Sequence, residues 1–126
     1  MGLHYTVVRS TSGNITVAES AGTTNNPVAP PLAEPANIPT LTADVDGELF
    51  LMCATAAVAT TGGGGDTWAP SAGATLRSTA AADDNRLAVQ TQARNAGQSN
   101  ASPMTKTSAA GPKDNAYSGI TVRLAP

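Results

Sequence analysis

Five prolines fall at positions 27, 30, 31, 35 and 39, and no helix survives that spacing. Each proline lacks the N–H a helix needs and pushes the residue before it toward extended backbone. Residues 20–39 are therefore expected to run as an extended arm or a long loop. A loop of that length without structure of its own is uncommon inside a compact domain. The arm is thus expected to lie along another surface, that of a neighbouring subunit. The residues expected to make that interface are Pro27, Pro30, Pro31, Leu32, Pro35, Ile38 and Pro39.

The sequence on either side of this segment reads as short strands. Residues 5–9 and 15–17 are β-branched runs around the turn Ser12-Gly13-Asn14, which predicts a hairpin within residues 1–19. A turn at Val45-Asp46-Gly47-Glu48 opens the strongest strand. There Leu49, Leu51 and Cys53 alternate with Phe50, Met52 and Ala54. Both faces are apolar, which predicts a central strand covered on both sides. The alanine-rich run 54–59 also admits a helix, but the turn before it and the glycines at 62–65 favour a strand.

Further strands are expected at 74–79, 104–107 and 118–124, the last with Ile120, Val122 and Leu124 on one face. Residues 86–94 alternate cleanly. The expectation is Leu87, Val89, Thr91 and Ala93 facing in, and Arg86, Gln90, Gln92 and Arg94 facing out. Seven or eight short strands separated by turns read as a sandwich or barrel. The expected fold is one all-β domain, a single antiparallel β-sandwich of jelly-roll or Ig-like type with an extended Pro-rich N-terminal arm or loop. It divides into a hairpin at 1–19, the arm at 20–39 and the sandwich body at 40–126.

Composition limits the core and the partners. The chain has 126 residues, with one Trp, one Phe and two Tyr, and much of its apolar content is Ala. Burial contributes about 25 cal/mol per Å² of apolar surface, so an alanine-rich core is thin and support from neighbours in an assembly is expected. The net charge is -2, with few charged residues in all. That argues against nucleic acid or an anionic membrane as partner, since both call for clustered Lys and Arg. The first residues lack a basic region followed by an apolar core, so no Sec-type leader is expected.

Three stretches carry a family resemblance. Asp46-Gly47-Glu48-Leu49-Phe50-Leu51-Met52 resembles the D-G-D-L-L-L-A strand of a β-sandwich family common in phage tail and virion proteins and in some bacterial surface proteins. Pro70-Ser71-Ala72-Gly73-Ala74-Thr75-Leu76 is similar to its P-x-G-W-T-x-L turn, with a one-residue insertion and Ala74 in place of Trp. Arg86-Leu87-Ala88-Val89-Gln90-Thr91-Gln92 is similar to its R-L-A-V-Y-Y-K strand, with polar residues replacing aromatics. The resemblance covers roughly residues 40–124. It implies a structural or adhesive module of a bacteriophage virion, of the head-decoration or minor-tail type, with no shared catalytic site. Such a protein is made in the host cytoplasm, resides in the virion, associates with itself and binds the major capsid or tail protein.

The inventory of reactive side chains is short. His4 is the single histidine, no G-x-S-x-G elbow occurs, and Cys53 is the single cysteine, so no enzyme and no cofactor are expected. Asp44, Asp46 and Glu48 are spaced by two and would share a face of an extended segment, which makes them candidate Ca²⁺ ligands. The competing reading is a polar Asp-Gly turn that breaks the shared face. Trp68 is the candidate ligand contact, for carbohydrate, against its role as a core plug. Two function classes stand: a capsid decoration or cement subunit, and a minor tail or adhesin-like module that binds host-surface carbohydrate or receptor.

Overall fold

The computed structural model describes residues 16–25, 33–58, 66–82, 85–107 and 115–125. They form eight strands: β1 (Thr16–Asn25), β2 (Ala33–Ala36), β3 (Glu48–Val58), β4 (Thr67–Ala69), β5 (Thr75–Ala82), β6 (Asn85–Arg94), β7 (Met104–Thr107) and β8 (Asn115–Ala125). The described residues hold no helix, and hence none long and apolar enough to cross a membrane. Two antiparallel sheets result, one ordered β1-β8-β3-β6-β5 and the other β2-β7-β4. This is the all-β architecture expected, and it is consistent with a β-sandwich.

The pairing is nested. The outermost strands β1 and β8 pair, then β2 with β7, then β3 with β6, all antiparallel. β3 also pairs with β8. It therefore sits at the centre of the larger sheet, where its unbroken apolar run had placed it. It continues as strand to Val58, because Ala54 to Ala57 keep ladder partners on both sides. The turn before it closes at Gly47, whose φ of 82° suits glycine, and Gly47 N donates to Arg94 O at 3.0 Å.

The proline-rich segment departs from expectation. Its described residues are shared between both sheets. Residues 20–25 belong to β1, and residues 33–36 form β2 at an edge of the smaller sheet. An edge strand has one row of backbone groups without ladder partners, so it can hold a residue lacking an N–H such as Pro35. Beyond β2, Ile38, Leu41 and Ala43 are buried in the core. Residues 41–43 also run beside 97–100, with Ala43 N donating to Gln98 O and Asn100 N to Leu41 O. The expected hairpin at 1–19 falls largely outside the described residues. The part described, from Thr16, pairs with β8.

A second departure concerns sidedness. β6 is buried on both sides along its middle: Val89 and Thr91 are buried as expected, but Arg86, Gln90 and Gln92, expected to face out, are buried too, as is Ala88. β8 buries Tyr117, Gly119, Thr121 and Arg123 and turns Ile120 and Val122 away. The reason is in the hydrogen bonds. Irregular stretches packed onto this side of the sheet lack full ladders of their own, and an unpaired buried backbone group is costly. The strand side chains satisfy them. Gln90 accepts from Ser71 N at 2.8 Å, and Gln92 accepts from Ala101 N at 2.8 Å and donates to Ala72 O at 2.9 Å. Thr121 donates to Pro39 O at 2.7 Å, and Asn100 accepts from Leu41 N at 2.7 Å. The apolar part of the core is correspondingly small, built on Ile38, Leu41, Phe50, Met52, Trp68, Met104 and Tyr117 with several alanines.

Candidate interaction surface

The residues singled out from sequence separate in space. Of the expected interface set, Pro27, Pro30, Pro31 and Leu32 lie outside the described residues. Pro35 is exposed on β2, but Ile38 is buried, and its N–H donates to Ser102 Oγ at 3.0 Å. Pro39 is half-buried and its carbonyl accepts from both Thr121 and Asn100. Ile38 and Pro39 therefore hold this chain together and are corrected as contacts to a neighbour.

Two carboxylates of the candidate metal set share Arg123 and the third has a separate partner. Asp44 meets the Arg123 guanidinium at 2.7 Å. That hydrogen bond holds its carboxyl below the usual carboxylate range. Glu48 is buried, accepts from Asp44 N at 2.7 Å and faces Arg123 at 3.6 Å. Asp46 accepts from Ala96 N at 3.0 Å. The turn thus sets Asp46 apart while Asp44 and Glu48 meet on one guanidinium, and no cluster of metal-ligating side chains occurs among the described residues. Trp68 is only 8% exposed and belongs to the core, which corrects its reading as a ligand contact. Its position on β4 opposite Lys106 turns it toward the larger sheet.

A second group of charges is fully interior. Asp66, just before β4, faces Arg86 at 3.3 Å and Lys106 at 3.6 Å, with all three side chains at 5% exposure or less. Sequence reading placed Arg86 on the outer face and did not single out Lys106. The only signal available was a lysine inside a short alternating strand. Buried ions of this kind need partners, because removing one leaves the other uncompensated in a poorly polarisable interior.

The outward side of the five-stranded sheet carries the residues that ordinarily face a core. Leu49, Leu51 and Cys53 of β3 are half-buried and lie beside Leu124, Val122 and Ile120 of β8. On the other flank they lie beside Ala93, Thr91 and Val89 of β6; Thr91 and Val89 are buried, as is Leu124 of β8. Val17 of β1, opposite Leu124, is 66% exposed and Ile120 is 47% exposed. The described core cluster lies on the other side of this sheet. Among the described side chains of this face, Arg77 of β5 is the ionisable one besides the Cys53 thiol, and it reaches over β6 to the neighbour of Leu51. Its Nε donates to Thr91 Oγ1 at 2.6 Å. Burial pushes the Cys53 thiol up from its ordinary range, as suits a small apolar contact rather than a nucleophile.

No family model matches this chain, and neither a curated protein nor a solved structure matches it significantly.

Proposed function

We infer that this chain is a non-enzymatic structural subunit of a bacteriophage virion, a capsid decoration or cement protein. On this reading it is made in the host cytoplasm and binds the major capsid protein through repeated protein–protein contacts. The observation that carries the reading is the apolar outward face of the five-stranded sheet. Exposed apolar side chains grouped on one face mark an interaction site, and here Val17 of β1 and Ile120 of β8 stand exposed on neighbouring strands, near the half-buried Leu49, Leu51 and Cys53.

Three further features support it. The nested pairing of β1 with β8, β2 with β7 and β3 with β6 is that of one long hairpin rolled up on itself. This favours the jelly-roll form of the sandwich over the Ig-like form. Jelly rolls recur in viral capsid and lectin domains, which is an analogy of fold and adds weight only as such. Second, the reactive inventory is poor: the single cysteine has a raised thiol pKa, and the described carboxylates at residues 44, 46, 48 and 66 are engaged by cations or backbone N–H groups. Third, Trp68, the best sugar platform available, is enclosed in the core, which weakens the adhesin alternative.

The test is stoichiometry. Quantitative mass spectrometry of purified virions is expected to find this chain at hundreds of copies, in fixed proportion to the major capsid protein. A few copies per particle, confined to the tail, would favour the adhesin module. Complete absence from particles would overturn the virion reading.

A further inference from the structure

We propose that Lys106 and Asp66 become joined through their side chains by an amide bond, which the folded chain forms by itself with loss of one water. The inference concerns a modification site inside the sandwich and stands independently of the virion reading.

The geometry comes first. Lys106 lies on β7, the middle strand of the smaller sheet, and Asp66 immediately precedes β4 on its flank. Lys106 Nζ is 3.6 Å from Asp66 Oδ2, and both side chains are wholly buried. The carboxyl carbon is bonded to that oxygen, and reacting atoms in a productive arrangement stand about 3–3.5 Å apart. β4 and β7 pair from Thr67 with Thr107 to Ala69 with Thr105, so the two backbones that carry the pair are held together. Held in this way, an amine and a carboxyl no longer need a bimolecular encounter, which speeds an otherwise slow condensation.

The surroundings favour the reaction. Arg86 Nε of β6 faces the same Asp66 Oδ2 at 3.3 Å. Its charge stands where negative charge grows as the carboxyl carbon becomes tetrahedral. Trp68, directly across the ladder from Lys106, is buried in the core, which keeps bulk water from the reacting atoms and from the finished amide. An ion pair taken out of water carries a desolvation cost, and the amide removes that pair. The trio of Asp66, Arg86 and Lys106 bears one net positive charge before and after, and Arg86 can donate to the amide oxygen in place of the carboxylate.

The step balances within the pair. One proton passes from the Lys106 ammonium to the Asp66 carboxylate. The neutral amine gives its electron pair to Cγ, a C–N bond forms, and the C=O electrons move to oxygen. A second proton passes from the nitrogen to the hydroxyl, the C–OH bond breaks and water leaves. No oxidant, reductant or activating group is consumed. The product closes a loop of about forty residues that encloses β5 and β6, and a tie of that span restricts the unfolded chain. Domains with small apolar cores are commonly supported by covalent staples.

Intact-mass spectrometry of the full chain tests this, on samples taken at once and after several days at room temperature. The expected mass lies one water below that of the sequence, with or without Met1. Trypsin should fail to cut after Lys106, so that peptide 95–113 is recovered joined to peptide 10–77. Asp66→Asn should reach the same final mass, because it forms the same amide by losing ammonia. Lys106→Arg keeps the charge and removes the nucleophile, so it should retain its full mass and melt at least about 10 °C lower than the joined chain. Should that variant fold poorly, the mass and peptide map of the unaltered chain decide by themselves. Full mass in every sample of the unaltered chain overturns the proposal. A lost water without the branched peptide overturns it too, since that marks an internal imide at an aspartate, as does a water deficit that persists in Lys106→Arg.

Discussion

Replacing Gly119 by alanine would drive a methyl group into the backbone that follows β2. A Cβ built at Gly119 lies 2.4 Å from Asn37 O and 3.1 Å from Ile38 Cα. Ordinary C···O contacts begin near 3.3 Å, so the carbonyl would have to retreat by about 0.9 Å. Both obstacles are main-chain atoms, and no rotamer change relieves them. Overpacking of this kind costs typically about 1–3 kcal/mol. The retreating segment also holds the bonds from Ile38 N to Ser102 Oγ and from Thr121 and Asn100 to Pro39 O. Losing one or two of these adds about 1 kcal/mol each. The expected loss is about 2–5 kcal/mol, or roughly 8–20 °C in melting temperature at this chain length. Urea unfolding followed by the fluorescence of the buried Trp68 measures it. Gly47→Ala is the control: it has a φ of 82° but open space around the new Cβ, so only backbone strain of about 1–2 kcal/mol is expected. If Gly119→Ala proves no less stable than Gly47→Ala, residues 37–38 do not rest on β8 and the account of how the segment is held is wrong.

Two further outcomes follow from the charges. Asp66→Ala should cost about 3–5 kcal/mol by leaving Arg86 and Lys106 without their shared carboxylate; a change below 1 kcal/mol in the same urea assay would mean that the cluster is solvated. Asp44, whose folded pKa is lowered from 3.8 by its hydrogen bond to Arg123, favours the folded state fully above the unfolded value, and this contribution is lost as pH falls through the lowered folded value. Carboxyl NMR titration should therefore show Asp44 titrating below 3.8 in the native chain and moving back up in Arg123→Met, and an unchanged midpoint would refute the pairing.

Periodicity made much of the strand layout legible. The unbroken apolar run of β3 placed it at the sheet centre, and the short strand expected at 104–107 is β7. Sidedness was not legible. Val89 and Thr91 are buried as assigned, but Gln90 and Gln92, assigned outward because polar residues usually face water, are buried as well. The reason is tertiary: Gln90 and Gln92 are needed inside by the backbones of Ser71, Ala72 and Ala101, more than ten residues away for the first two and nine for the third. No local pattern encodes that demand. The proline-rich segment misled for a related reason, since Pro35 excludes a helix but not an edge strand. Of the carboxylates 44, 46 and 48, the turn at Gly47 sets Asp46 apart, while Asp44 and Glu48 meet on Arg123, a partner some eighty residues on that no local spacing announces.

The nesting of the strands also sets an order of events. β8 lies between β1 and β3, so β1 has no described place in its sheet until β8 is present. During synthesis, at about 5–20 residues per second, the first strand waits for some ninety residues of chain before its partner exists. Pairings between remote segments are slow to form because loop closure precedes any gain from contact. Folding is thus postponed until β8 has been made, and any shortening that removes β8 should abolish the whole sheet rather than trim its edge.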